Sequence, residues 1–531
     1  MNGAVPSLPP IVKAMMRPEF YPHHPKTVEL VQTHISYVFL AGDFVYKLKK
    51  GVRFSFIDCS DLARRRHLCD EEIRLNRRLA PDVYLGKFPI FRRGDDFALG
   101  DQPIEHRDAV DYVIKMRRLP ADRMLDRMLA RHEADHATIE KLAAVVADFF
   151  KAGSSAHAMR HASAAALWRL VIGELMEAEQ LVGSTLTAQQ HSTIENFCRR
   201  FIASHWKLLN ARAVAGHVRE GHGDLRCEHI CVEGGKISIF DCVEFSQQLR
   251  TCDLASEVAF LAMDLDRLEA PELADELIGA IAESTHDEEF PLLVPFYKCY
   301  RAVIRGVVES LRSREAEVAE HEREAALDLA RRHFSLACSY AAEARPVIIV
   351  ACGLSGSGKS TVAKALQYRF GLPIVSSDRT RKKLSSIPID RSAADAYKSG
   401  IYADTVTEST YAAMMDEADH QLREEIGVII DATFQDPAHR EAARKLAAHH
   451  KMPILFLECR ASDAEIRRRL IERQRKGHNP SDATVDVYLR QRKEFVALTE
   501  IAASQHLIVD TARPAGEIVI AVKNALERCR Q

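Results

Sequence analysis

The chain has 531 residues, too many for one hydrophobic core, so two or three domains are expected. At 47% hydrophobic and 28% charged it has the composition of an ordinary globular protein, without low-complexity tracts. With 73 basic against 75 acidic side chains the formal charge is −2, which argues against a nucleic-acid partner. Twelve cysteines without a CxxC pair fit free thiols in a reducing cytoplasm. The apolar runs are strand-length, and the first twenty residues lack a continuous apolar segment, so neither a membrane span nor a signal peptide is expected.

From about 33 to 116 the chain reads as strand-rich: THISYVFL, FVYKLKK, KFPIFRR, DDFALG and AVDYVIKM. A charged helix, SDLARRRHLCDEEIRLNRRLA, falls between the second and third. From about 122 to 215 the pattern is mainly helical. The block HGDLRCEHICVEGGKISIFDCVEF follows, with a glycine turn at Gly234 and Gly235 between two strands. Cys227, His229 and Cys231 alternate there as if on one strand face, a pattern more typical of small core residues than of a zinc site. More helices run to a boundary near 341–345, where helical spacing gives way to the apolar strand PVIIVACG.

Beyond the boundary, strands and helices alternate. Strand PVIIVAC is followed by a helix from Lys359, strand LPIVSS, a helical region and strand GVIIDATF. Then come helix PAHREAARKLAAHH, strand MPILFLEC and helix SDAEIRRRLIERQRK, with Ser462 and Glu465 at capping-box spacing. Helix ATVDVYLRQRKEFVAL, strand HLIVDT and a last helix complete the series. Five strands alternating with helices predict a parallel sheet covered on both faces.

GLSGSGKST, 353–361, matches GxxxxGK[ST] between a predicted strand and a helix. Gly353, Ser355, Gly356, Ser357 and Gly358 would wrap a phosphate with inward N–H groups, at a helix N-terminus running on through Thr361. Lys359 is expected on the β/γ-phosphates and Ser360 on Mg²⁺. Asp431 ends its strand in the manner of a Walker-B carboxylate, or is a simple turn residue. Asp378 ends the second strand at the sheet edge where α/β folds bind ligands. It is placed to take the proton of an acceptor hydroxyl, with Arg381 holding an acceptor anion; a helix cap is the alternative. Arg469, Arg473 and Arg475, followed by the loop GHNPSDAT, form either a solvated basic face or a lid that brings an arginine to the transferring phosphoryl.

Together with SSDRTRKKL and VIIDATF, this pattern resembles the small P-loop kinases over roughly 345–531. It is nearest the group that includes gluconate-kinase-like, zeta-toxin-like and polynucleotide-kinase-like domains. The resemblance implies ATP and Mg²⁺ as cofactors, with Asp378 and Arg381 facing the phosphoryl acceptor.

The second constellation is HGDLRCEH followed by IFD at 239–241, an aspartate loop and a second aspartate one hairpin later. It resembles the aminoglycoside-phosphotransferase-like branch of the protein-kinase fold over about 28–333. That resemblance implies an α+β domain over 1–340, with a strand-rich lobe at about 28–116 and a helical lobe at about 117–335. Asp224 would be the catalytic base, Asp241 the principal Mg²⁺ ligand, Lys47 the phosphate-pairing lysine and Glu72 its helix partner. His229 stands where the family has a metal-binding asparagine. Arg226 replaces a frequent histidine, where it either lowers the basicity of Asp224 or holds an anionic acceptor. Glu228 or Glu244 is placed to add a metal contact.

The expectation is therefore a cytoplasmic α+β kinase-like domain followed by an α/β P-loop domain, transferring the γ-phosphoryl of ATP to hydroxyls of small molecules at two sites. One alternative is a P-loop kinase or ATPase regulated by an inactive kinase-like ligand-binding domain. A polynucleotide 5′-kinase, the other alternative, is disfavoured by the neutral charge.

Overall fold

The computed structural model describes residues 8–54, 57–156, 160–161, 163–315, 318–388, 404–476 and 483–529. They divide into two compact units. The first comprises Met1–Ala188, Trp206–His286 and Tyr300–Phe334; the second comprises Gln189–His205, Asp287–Cys299 and Ser335–Gln531. Among the described residues no helix is long and apolar enough to cross a membrane.

The first unit opens on a six-stranded antiparallel sheet. Its strands are β1 (Val28–Gln32), β2 (Ser36–Ala41), β3 (Phe44–Lys49), β4 (Tyr84–Arg93), β5 (Asp96–Leu99) and β6 (Asp111–Arg117), in the order β1-β2-β3-β6-β4-β5. Strand β1 was not expected: it is an edge strand without a fully buried residue, and its apolar alternation is limited to Val28 and Leu30. Helix Leu62–Asn76 starts where Asp61 accepts a hydrogen bond from the Arg64 N–H at 2.9 Å. Cys69 and Ile73 of this helix pack on Tyr84, Tyr112, Ile114 and Met116, while Tyr46, Leu48 and Val113 pack with Val12 and Met15. Alternation along β3 therefore turns Lys47 and Lys49 to one face and Tyr46 and Leu48 to the other.

The remainder of this unit is mostly helical, with four short strands: β7 (Val218–Glu220), β8 (Ile230–Glu233), β9 (Lys236–Ile239) and β10 (Thr251–Asp253). β8 and β9 form the hairpin turning at Gly234 and Gly235, and β7 pairs with β10. Cys227 and His229 lie on a single 3₁₀ turn rather than on a strand, and no group of metal-binding geometry is found among the described residues at these cysteines.

The second unit carries five strands: β11 (Ile348–Cys352), β12 (Ile374–Ser376), β13 (Val428–Asp431), β14 (Ile454–Arg460) and β15 (His506–Asp510). All pairings are parallel and the order is β12-β13-β11-β14-β15. Every residue of β11 is buried, which is why PVIIVAC shows no alternation. Ile349 and Ala351 pack with Leu366 and Val522 on one face, and Ile348 and Val350 pack with Met414 and Ala443 on the other. Each such aliphatic side chain contributes about 1.5–3 kcal/mol through burial. Ser462 caps helix Asp463–Lys476 by accepting from the Glu465 N–H at 3.2 Å; Glu465 does not close the capping box, its carboxylate pairing with Arg468 and Arg469. Helix Val485–Glu494 stops short of the expected FVAL segment.

Candidate functional sites

In the second unit the turn after β11 runs into helix Lys359–Phe370, so the strand end and the helix N-terminus meet at one phosphate-sized loop. Two glycines have no substitute. Gly353 has φ +134°, and a Cβ there would lie 2.5 Å from the carbonyl oxygen of Cys459. Gly358 has φ +91°, and its Cβ would lie 2.9 Å from Thr511 and from the Arg469 guanidinium. Gly353→Ala should therefore cost about 1–3 kcal/mol and open the loop. Thermal unfolding with and without ATP–Mg²⁺ checks this: the variant should melt lower and lose the nucleotide-dependent rise.

The Lys359 ammonium donates to the Leu354 carbonyl at 3.0 Å, closing the loop on itself. Ser360 Oγ donates to Asp431 at 2.7 Å, at the end of β13. Burial pushes the Asp431 carboxyl up, opposed by Lys359 and Ser360 and reinforced by Asp378. Ser357 Oγ is buried without a hydrogen-bond partner among the described residues. An inward-curved loop, an ammonium, a hydroxyl on a buried carboxylate and an orphaned hydroxyl suit a nucleotide phosphate with its divalent cation.

A cleft of about 360 Å³ joins this loop to the sheet edge. Ser355, Gly356, Gly358, Lys359, Ser360, Thr361 and Asp431 line one part of it, and Asp378, Arg381 and Arg473 also line it. Asp378 and Arg381 lie in the helix Ser377–Leu384, with Arg381 3.8 Å from the Asp378 carboxylate. Residue Ser376, not Asp378, is the N-cap of that helix. Arg469 needs a correction. Its guanidinium is held by Glu465 and by Thr511, at 2.9 Å to Oγ1 and 2.8 Å to the carbonyl. Thr511 in turn donates to the Ser357 carbonyl at 2.7 Å. Arg469 thus braces the loop from behind, with each of its three nitrogens already donating to Glu465 or Thr511. Residues 477–482 of the GHNPSDAT segment lie outside the described residues.

Sequence reasoning missed several residues of this cleft. The Gln491 side chain accepts from the Ser355 N–H at 2.9 Å, and His439 stacks on Tyr411 at 3.6 Å with Nε2 3.1 Å from Glu408. Tyr411 and Glu408 share a helix, but no local spacing announces that they meet residue 439.

In the first unit, Lys47 forms an ion pair with Glu72 at 2.8 Å and donates to Asp241 at 2.7 Å. Lys49, two residues along the same strand face, is fully buried and pairs with Glu72 at 2.5 Å and with Glu244. Period-two alternation in the KLK triplet was the signal for this second lysine. Glu244 is paired through one oxygen with Lys49, and Glu228, half exposed, through one oxygen with Arg226.

The Asp224 loop is braced from below. Glu257 accepts from the N–H groups of His222 at 3.0 Å and Gly223 at 3.3 Å, and Asp264 accepts from the Cys227 N–H at 2.9 Å. Arg226 grips both oxygens of Asp224, each at 3.0 Å. Desolvation alone would raise this carboxyl; Arg226 and Arg305 instead hold it well below the usual range. Asp241 is likewise held low, mainly by Lys47 against desolvation. It sits at φ +64°, a conformation costly outside glycine, with its N–H on the Tyr84 hydroxyl and the next N–H on Asn76.

His229 as a metal ligand needs correction. Its Nδ1 meets the Asp224 carbonyl at 2.8 Å, so it carries the proton, and Nε2 then accepts from Arg226 at 3.3 Å. Nε2 lies 3.7 Å from the Asp241 carboxylate, but its lone pair is taken by Arg226 in this arrangement. Lys47 and Asp241 have the chemistry to meet a nucleotide phosphate and its cation.

Residues 348–498 match the family model described as an AAA domain. Uncharacterized proteins of Mycobacterium tuberculosis (strain H37Rv) and Mycobacterium bovis are each 29% identical over 473 residues, spanning 87% of this chain and 90% of theirs. Among solved structures, a choline/ethanolamine kinase family protein from Mesorhizobium loti aligns with 62% of this chain and 98% of its own, at 14% identity and a TM-score of 0.36. A gluconokinase from Sinorhizobium meliloti 1021 aligns with 35% of this chain and 93% of its own, at 21% identity and a TM-score of 0.25. The chain thus fuses an α+β unit, built of a strand-rich lobe and a helical lobe, to an α/β P-loop domain that matches the AAA-domain family.

Proposed function

We propose that this protein is an ATP-dependent phosphotransferase with two sites, each passing the γ-phosphoryl of ATP to a hydroxyl of a small molecule. The observation that carries the reading is the single cleft of the second unit, where Lys359, Ser360 and Asp431 share one space with Asp378 and Arg381. Phosphoryl transfer needs little covalent help from the protein, so positioning and charge neutralisation suffice. The P-loop N–H groups and Lys359 would hold the phosphates, and Ser360 and Asp431 the Mg²⁺, which neutralises charge building on the leaving oxygens. Asp378 would accept the proton of the attacking hydroxyl and Arg381 would orient the acceptor. Arg473, which lines the same cleft, is the arginine placed to meet the transferring group.

In the first unit the corresponding parts are Lys47 with Glu72, Asp241 for the cation and Asp224 for the acceptor proton. One observation favours a second reading, a ligand-binding unit that regulates the P-loop domain: Arg226 occupies both oxygens of the base. Transfer of labelled phosphate from ATP across a panel of hydroxylated metabolites separates the two. With two active sites, Lys359→Ala should remove one set of products and Asp224→Ala another. If Lys359→Ala alone removes all of them, the first unit has no transfer activity.

A further inference from the structure

Resting on the reading that the first unit transfers phosphoryl, we propose that its acceptor is an anionic hydroxyl compound, carrying a phosphate monoester or a free carboxylate, whose anion draws Arg226 off Asp224 and so frees the base.

Four observations lead there. Arg226 is bound through both arms of its fork to Asp224, and its remaining nitrogen pairs with Glu228. A carboxylate in that grip keeps one lone pair on each oxygen, but the charge-assisted pair leaves it a weak base for an incoming hydroxyl proton. The base gains strength when the guanidinium moves, and an acceptor anion of matching shape is the group that competes for it. Second, Arg305 is half of a crowded cation pair. It is mostly buried, its ion pair is with Glu309, and desolvation and the neighbouring Arg226 both act against its charge. Two guanidiniums near one carboxylate favour an added negative group between them.

Third, His333 is 2% exposed, and its Nδ1 has no hydrogen-bond partner among the described residues. Burial and the charges of Arg305, Arg267 and Arg226 hold its pKa down to about 3, so it is a neutral imidazole beside the same cations. Fourth, the loop cannot yield as a whole. Glu257 and Asp264 fix its backbone, and Arg301 holds the Gly223 carbonyl at 3.3 Å and Ser256 at 3.1 Å. The side chain of Arg226, not the backbone of Asp224, is the moving part.

The step then balances. The acceptor anion takes the Arg226 guanidinium, and the acceptor hydroxyl passes its proton to a freed Asp224 oxygen. Its oxygen forms a bond to the γ-phosphorus of ATP as the bond to the β,γ-bridging oxygen breaks, releasing ADP. A neutral or cationic acceptor leaves the latch closed.

The test uses the full chain carrying Lys359→Ala, so that transfer reports the first unit alone. Labelled ATP–Mg²⁺ is offered with anionic, neutral and cationic hydroxyl compounds, and binding of inorganic phosphate is measured in parallel by calorimetry. The expected result is transfer to anionic acceptors only. Arg226→Gln should raise their KM at least tenfold without a matching change for ATP, and weaken phosphate binding by a similar factor. Arg305→Gln should weaken both less, and Arg226→Lys should fall between Arg226→Gln and the parent. Equal transfer to neutral or cationic acceptors overturns the proposal while leaving the two-site reading intact. Absence of transfer to any acceptor overturns the two-site reading. Phosphate binding that is undetectable, or indifferent to both arginine substitutions, overturns the anion site itself.

Discussion

Lys359→Ala lowers phosphoryl transfer by the second unit by about 10²–10³-fold, the loss expected on removing one preorganised positive donor from developing charge. Lys359 is 9% exposed and its ammonium closes the loop on the Leu354 carbonyl, so it is largely buried and in place before ATP arrives. It is also the main charge opposing the rise of the Asp431 carboxyl. Its removal therefore strikes the phosphate end twice, through the lost cation and through a carboxylate less ready to hold Mg²⁺. The fall should appear in kcat at saturating ATP as well as in kcat/KM, because the interaction strengthens as the phosphoryl moves. A variant that keeps its kcat and changes only its KM would mean that Lys359 only tethers nucleotide.

The largest effect on stability is expected at Lys49. Lys49→Met removes the fully buried ammonium that joins Glu72 to Glu244. Burial already pushes the Glu244 carboxyl up, and without Lys49 it loses its ion-pair partner and faces Glu72 with only the more distant Lys47 to offset it. Breaking a buried pair from one side costs about 3–5 kcal/mol, or roughly 10 °C in the unfolding midpoint of a domain this size. Lys47 is 12% exposed and shares Glu72, so Lys47→Met should cost less stability while removing the contact to Asp241. Calorimetric scans of the two variants decide the order. Equal midpoints would show that the Lys49 network does not hold the unit together.

The P-loop unit was almost fully legible in the sequence because each of its strands is short, apolar and bounded. All five strands fall in the expected segments, and the helix at Pro437–His450 ends where expected. Short-range signals also located Asp431 and Ser360, which meet at 2.7 Å. Arg469 and Arg473 could not be told apart, since four residues put both on one helix face. Only tertiary contact with Thr511 shows that the first is a brace. In the first unit the sequence named Lys47, Glu72, Asp224 and Asp241 but not the charges that neutralise them. Arg226 was visible, whereas Arg305 and Glu257 come from distant helices with ordinary amphipathic spacing. Strand β1 puts only the half-buried Val28 and Leu30 on the core and so carried little signal.

As proposed, one cleft in the second unit holds nucleotide phosphate and acceptor together, with Asp378 on the acceptor. Asp378→Asn keeps the shape of that side chain and removes its capacity to take a proton. Measured side by side, ATP–Mg²⁺ affinity should stay within about threefold while phosphoryl transfer falls about 10²–10⁴-fold. Loss of ATP binding in this variant, or transfer at the parent rate, would contradict the account.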